Sequence, residues 1–300
     1  MDKLLVVIAG PTAIGKTEVA ISIAKKFNTE ILSADARQLY KEMEIGTAKP
    51  SAEQLHEVKH HFINKLSITE DYNAGQYEID ALKTLEKIYA NKDIAIMVGG
   101  SGLYINAVCN GFDSMPDANE FIRKELAEEL QNKGLQSLQE ELLQIDPTYY
   151  QEVDLANPIR IMRALEVYRI TGKPYSLFRL KVKKERPFKI IKIGLKMDRK
   201  ILYQRIDDRV DVMINKGLEE EVKTLLPYKD RNALHTVGYK EWLDYFDGKN
   251  HQEWVVPMIK QNTRHYAKRQ MTWFNKDEEI QWFQPEEVEQ IIAYVQSQIQ

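Results

Sequence analysis

The sequence predicts an α/β fold: a parallel sheet with helices on both faces and a helical insertion domain. Three observations carry that reading. Short runs that are apolar throughout recur in the first hundred residues and return near residue 190. Glycine-rich loops follow two of those runs directly. Between residues 116 and 186 helical periodicity takes over, with no clear strand among the candidate helices. A strand that is apolar on both faces is one buried between two layers of helix, as in parallel sheets.

The elements follow in order. Residues 3–9 (KLLVVIA) form the first strand, and Lys16–Lys26 continues with Val19, Ala20, Ile23 and Ala24 at helical spacing. Glu30–Ala34 is the second strand, which completes a βαβ unit. Asn73 caps a helix that carries Tyr77, Leu82, Leu85 and Ile88, and Ile94–Val98 is a third buried strand. Candidate helices then occupy Asn119–Gln131, Leu135–Gln144 and Asn157–Thr171, the last ended by Gly172. Phe188–Leu195 returns to strand. Asp198 caps a long helix ending at Gly217, and further helices span Leu218–Leu226 and Glu253–Phe274, the latter despite Pro257. The tail reads as a strand, Ile280–Phe283, and a helix within Pro285–Gln300. Residues 1–115 and 187–300 therefore form one core, with residues 116–186 inserted into it.

Composition narrows the function classes. The chain of 300 residues is 43% apolar and 29% charged, which is the balance of a globular protein. No apolar run approaches the roughly 20 residues of a membrane span. Met1-Asp2-Lys3-Leu4 leads straight into a strand, so no signal peptide is read and a cytoplasmic location is expected. The single Cys109 cannot form an intramolecular disulfide and sits in an apolar segment as core filler. At a net charge of −3, any contact with nucleic acid must come from local basic patches.

The strongest motif is Gly10-Pro11-Thr12-Ala13-Ile14-Gly15-Lys16-Thr17, a full match to G-x-x-x-x-G-K-[ST] between a buried strand and an amphipathic helix. It makes the core P-loop NTPase-like. Glycines let successive backbone N–H groups turn inward, and the helix N-terminus adds partial positive charge. Lys16 adds a full charge at terminal phosphates, and the Thr17 hydroxyl is placed to hold Mg²⁺. P-loop ATPases usually end a neighbouring strand in a second Asp. Here Ile94–Val98 ends in Gly99-Gly100, and Asp93 lies at its wrong end.

The second strand does end in an acid, Asp35, at the sheet edge where open α/β folds bind ligands. It is placed to take a proton from a nucleophile; equally, it caps a turn or pairs with Arg37. Gly99-Gly100-Ser101-Gly102 is either a loop for close approach to a ligand or a tight turn with Ser101 as N-cap. Arg264, Lys268 and Arg269 are interleaved with His265, Tyr266, Trp273 and Phe274. Arg264 and Lys268 share a face, fit for tracking a phosphate backbone or for lying in solvent. Lys183, Lys184 and Arg186 read as a solvated hinge. His60-His61 is a poor metal pair, because neighbouring side chains point apart.

Seven collinear segments together are far more specific than any one: residues 10–17, 33–40 (SADARQLY), 45–50 (IGTAKP), 98–104 (VGGSGLY), 163–168 (RALEVY), 237–241 (VGYKE) and 266–273 (YAKRQMTW). The chain resembles the tRNA dimethylallyltransferases (tRNA isopentenyltransferases), which move a dimethylallyl group from its diphosphate to N6 of adenosine 37 in tRNA. The resemblance implies Asp35 as general base, with Lys16 and Ser101 as its catalytic companions. It implies residues Gly10 to Thr17 as the diphosphate cradle, with Mg²⁺ at Thr17. It implies tRNA contacts at Asp35, Ala36, Arg37, Gln38, Ser101, Arg123, Arg160, Arg163, Lys268 and Arg269. Ser101 stands where the family commonly has Thr, and Ile159 where a basic or polar residue is expected. The family further implies a monomer, with RNA passing between core and insertion. The rival readings are a small-molecule or nucleotide kinase with Arg160, Arg163, Arg169 and Arg179 as a lid, transfer to free adenine nucleotides, and a non-catalytic RNA-binding module.

Overall fold

The computed structural model describes residues 2–113, 115–179 and 182–299. Met1 and Gln300, the ends of the expected first and last segments, lie outside the described residues. Two compact units are present: residues 1–109 with 186–300, and residues 110–185.

The first unit is built on six parallel strands: β1 (Leu4–Ala9), β2 (Ile31–Ser33), β3 (His60–His61), β4 (Ile94–Gly99), β5 (Lys189–Leu195) and β6 (Ile280–Phe283), in the order β3-β2-β4-β1-β5-β6. β1 lies between β4 and β5, with Leu4 opposite both Ile94 and Lys189. Every residue of β1 and β4 is buried, which is why both read as apolar runs rather than alternating ones. Helices α1 (Lys16–Lys26), α2 (Ala52–Glu57), α3 (Ala74–Tyr89) and α4 (Gly102–Asn110) belong to the first half of the sheet. Asn73 caps α3 as expected, its side chain accepting from the Gln76 N–H at 2.9 Å.

The second unit holds α5 (Glu120–Ile145), α6 (Pro147–Glu152) and α7 (Pro158–Thr171). Gly134 (φ 79°, ψ 172°) kinks α5 where the sequence predicts two helices. Leu126, Leu138, Leu142, Ile161 and Leu165 form its core. The chain then returns to the sheet through β5 and adds α8 (Arg199–Asn215), α9 (Leu218–Thr224), α10 (Lys240–Phe246), α11 (Gln252–Phe274) and α12 (Val288–Ser297). No helix among the described residues is long and apolar enough to cross a membrane.

Two expectations change. Arg186 is not a solvated hinge residue: its guanidinium is 8% exposed and bonds Glu78 at 2.8 Å and the carbonyls of Val108 and Ala107. Moving that cation into water would cost the buried Glu78 carboxylate on α3 its ion pair. Nor is Arg264 free to follow a phosphate backbone, because it pairs with Asp207 on α8 at 2.6 Å. Cys109 is buried, and burial pushes its thiol up to about 12, as befits core filler.

A candidate active site at the carboxyl ends of the strands

Because β2, β4 and β1 are neighbours, the loops after them converge at one edge of the sheet. The loop after β1 carries Ala13 at φ 63° and Gly15 at φ 99°, left-handed conformations that turn its amides inward and start α1. Thr12 to Thr17 line a pocket of about 360 Å³, together with Glu18, Asp35, Gln38, Arg205, Arg209, Tyr266 and Gln270. Gly10 and Pro11 do not line that pocket; Ile14 does, and it is buried. The Thr12 N–H is already taken by Gln270 Oε1 at 2.8 Å.

Gln270 is a strut the sequence did not reveal. Its other amide end donates to the Gly100 carbonyl at 2.9 Å, so one buried side chain ties the loop after β1 to the loop after β4. A Cβ on Gly100 would come within 2.2 Å of that amide, and one on Gly99 within 2.1 Å of the Ala34 carbonyl oxygen. Packing against protein neighbours therefore requires these glycines, in addition to any approach by a ligand.

Asp35 follows β2, whose end is fixed by the fully buried Tyr77 donating to the Ser33 carbonyl at 3.0 Å. Its Oδ1 accepts from the Arg37 N–H at 2.9 Å and the Gln38 N–H at 3.3 Å, so the turn-capping reading is correct for one oxygen. Oδ2 has no hydrogen-bond partner among the described residues. The Ser101 hydroxyl does not cap α4; it accepts from the Ala36 N–H at 3.0 Å, which leaves its own proton to donate. The Gln38 amide is spent on structure, accepting from Ser33 and donating to the carbonyls of Thr47 and Ala48.

A second, smaller pocket of about 100 Å³ shares Thr12, Asp35, Arg209 and Tyr266 with the first. Its far wall is apolar, made by Ile206, Val210, Met213, Val237 and Ile259. Arg37, Gly46 and Thr47 also line it.

The cations are unusual. Burial, and next the charge of Arg209, bring the Lys16 ammonium down to about 8, against smaller opposing effects of Asp35 and Glu18. Lys16 Nζ donates to the Pro11 carbonyl at 2.7 Å. Arg209 is itself lowered, chiefly by burial. Sequence reading missed Arg205 and Arg209; four residues apart on the helix after β5, they share a face. Lys49 is enclosed by the Tyr40 carbonyl, Asn64 and Glu44. His60 Nδ1 lies 2.8 Å from the Val58 carbonyl, and His61 pairs with Glu30 at 2.6 Å.

Lys268 and Arg269 are exposed on α11, Arg269 lying 5.8 Å from the centre of the Tyr266 ring. Within the second unit, the buried Glu166 gathers Arg123 at 2.9 Å and Arg163 at 2.8 Å. Arg163 also donates to the Pro116 carbonyl at 2.8 Å. Arg169 pairs with Glu129 and Glu141, and Arg179 with Glu152. Arg160 forms no ion pair among the described residues, and its neighbour Ile159 is 73% exposed.

Comparison with known proteins identifies the family. The model of the IPP transferase family matches residues 38–277. A tRNA dimethylallyltransferase of Cytophaga hutchinsonii is 46% identical over 300 residues, covering 100% of this chain and 99% of the relative. Another, of Christiangramia forsetii, is 49% identical with the same coverage. Among solved structures, the full-length tRNA isopentenylpyrophosphate transferase of Bacillus halodurans superposes with a TM-score of 0.73 at 35% identity, covering 99% of this chain and 96% of that one. A eukaryotic dimethylallyltransferase described as acting on tRNA gives 0.74 at 29% identity, covering 91% and 70%. The chain belongs to the IPP transferase family, the tRNA dimethylallyltransferases, and is a transferase.

Proposed function

We propose that this chain transfers the dimethylallyl group of dimethylallyl diphosphate to N6 of adenosine 37 in the anticodon loop of tRNA, acting as a monomer. One observation carries the reading: Asp35, with an unpartnered carboxylate oxygen, lines both the cation-rich pocket and the small apolar one. The diphosphate occupies the first, against the amides of Ala13 to Thr17 and the charges of Lys16, Arg205 and Arg209. The dimethylallyl tail extends into the second.

The allylic carbon's bond to the diphosphate oxygen breaks as a bond to the N6 lone pair forms. The proton on that nitrogen passes to Asp35, a contribution of roughly 10²–10⁴ in rate. The charge left on the diphosphate oxygen is met by cations already in place, so little reorganisation is needed. Ser101 can donate its free proton to the acceptor base. The adenine must leave its stack to enter, at a cost of a few kcal/mol. The Thr17 hydroxyl is an oxygen ligand of the kind Mg²⁺ takes, and no cluster of three His, Cys, Asp or Glu able to hold a metal exists among the described residues. The ion would therefore arrive with the diphosphate, keep several waters and supply charge neutralisation. Arg160 in the second unit, with Lys268 and Arg269, is available to tRNA phosphates. The kinase reading keeps only Arg160 of its four lid arginines, because Arg163, Arg169 and Arg179 are all paired.

Mass spectrometry of an anticodon stem-loop after incubation with dimethylallyl diphosphate and Mg²⁺ tests the proposal. Gain of a dimethylallyl group at adenosine 37, with AMP a poor acceptor, is the expected result. Phosphate release from ATP without prenyl transfer would overturn it.

A further inference from the structure

The segment Val237–Glu241 takes no part in the chemistry above, yet it backs the small pocket beside Asp35. Gly46 and Thr47 also line that pocket, and they end a strap, Glu44–Thr47, which lies in neither a helix nor a strand. Three successive strap N–H groups end on one carboxylate. Glu221 Oε2 accepts from Glu44 (3.0 Å) and Ile45 (2.7 Å), and Oε1 from Gly46 (3.1 Å). The phenol of Tyr239 donates to the same Oε1 at 2.6 Å. Tyr239 is fully buried, and a Cβ on Gly46 would come within 2.4 Å of its ring. Glu241 holds another lining residue, Gly238, accepting from its N–H at 2.8 Å and from Asn262 at 2.7 Å.

We propose that Glu221, with Tyr239, is a positioning residue that fixes the Glu44–Thr47 strap as a wall of the apolar pocket, and thereby favours capture of the allylic carbon by the acceptor nitrogen over capture by water. The inference rests on the function proposed above. An allylic carbon losing diphosphate reacts with any nucleophile in reach. Water attack breaks the same carbon–oxygen bond, forms a carbon–hydroxyl bond and releases pyrophosphate and a proton. The pocket walls limit the access of water, and the strap, in no ladder or helix, is held by side-chain bonds such as those of Glu221 and Gln38. Both Glu221 oxygens act as acceptors for two donors each, so charge and geometry are matched to that use.

The chemistry makes Glu221→Gln a sharp test. Whichever end the amide takes, its N–H₂ faces two donors, so the strap loosens although the side-chain volume is unchanged. Tyr239→Phe removes one donor of the four. Wild type and both variants are given radiolabelled dimethylallyl diphosphate and an anticodon stem-loop, and prenylated RNA and free prenyl alcohol are quantified together. We expect transfer to fall about tenfold in Glu221→Gln, with the ratio of alcohol to prenylated RNA rising by a similar factor. KM for the diphosphate should change by less than about threefold, because Lys16, Arg205 and Arg209 are not on the strap. Tyr239→Phe should move the ratio the same way by less, and it alone decides the matter if Glu221→Gln does not fold. An unchanged product ratio in a folded variant overturns the inference. Absence of transfer by the wild type overturns the proposed function instead.

Discussion

Lys16→Met should leave the ligand-free protein more stable while disabling it. Lysine ordinarily titrates at 10.5, and here burial and Arg209 bring it to about 8. That difference corresponds to roughly 3 kcal/mol against the charged form. The hydrogen bond to the Pro11 carbonyl returns about 1.5 kcal/mol, and methionine forfeits it. The remainder, roughly 1–2 kcal/mol in favour of the variant near neutral pH, should raise Tm by about 3 °C. The pH dependence has a definite sign. Because the folded protein holds this proton less tightly than the unfolded chain, the penalty is full below about pH 8 and eases as pH rises. Between about pH 7 and about pH 9 the wild type should recover roughly 1 kcal/mol on the variant. For the same reason wild-type kcat/KM for dimethylallyl diphosphate should fall above about pH 8, where free Lys16 loses its charge. Turnover of the variant should drop by about 10²–10³. Thermal melts at both pH values, with calorimetry of pyrophosphate binding in buffers of different ionisation enthalpy, measure each part. A variant that melts below wild type near neutral pH, or a gap that widens as pH rises, would refute the reasoning.

Asp35→Asn preserves Oδ1 as acceptor for Arg37 and Gln38 but removes the proposed base. Single turnover should fall by about 10²–10⁴ while stem-loop affinity stays within about threefold; weakened binding with intact turnover would contradict the role. Gln270→Ala strands the Thr12 N–H and the Gly100 carbonyl, which should cost about 2 kcal/mol in urea denaturation and raise KM for the diphosphate. Arg163→Ala strips one partner from the buried Glu166 and should cost about 2 kcal/mol. Arg160→Ala should leave stability within about 0.5 kcal/mol. Its effect should appear as a salt dependence of tRNA binding shallower by about one unit on a log–log plot.

What the sequence made legible follows from what a local pattern can record. β1 and β4 were readable because both their faces are buried, and the break in α5 because Gly134 interrupts the apolar spacing. The strand His60–His61 was not, having two polar residues and no period. Helix α2 did carry a signal, the capping box of Ser51 and Gln54, although its six residues bury no side chain that would have marked a face. At the site, the loop after β1 and Asp35 stood out by motif and position. Gln270 and Glu221 did not, since the backbone groups that each one holds lie more than a hundred residues away. Glu221 in particular ends a run of three glutamates that looks like an ordinary solvated helix start.

Arg205 and Arg209 show most clearly where sequence reasoning runs out. Arginines one turn apart on a charged helix are the pattern of a solvent face, and nothing nearby marks them as different. What distinguishes them is the edge of the sheet on which that helix packs: both reach the pocket that holds Lys16. Lys16 and Arg209 are each pushed toward losing their proton, and Asp35 and Glu18 only partly oppose the effect. A fold gains nothing from crowding like charges out of water, since each buried cation without full compensation weakens the ligand-free state. The arrangement becomes favourable when a multiply charged anion enters, and most favourable when that anion gains charge as it departs. A phosphate loop with two added arginines and no second strand-end aspartate is therefore suited to stabilising a leaving diphosphate.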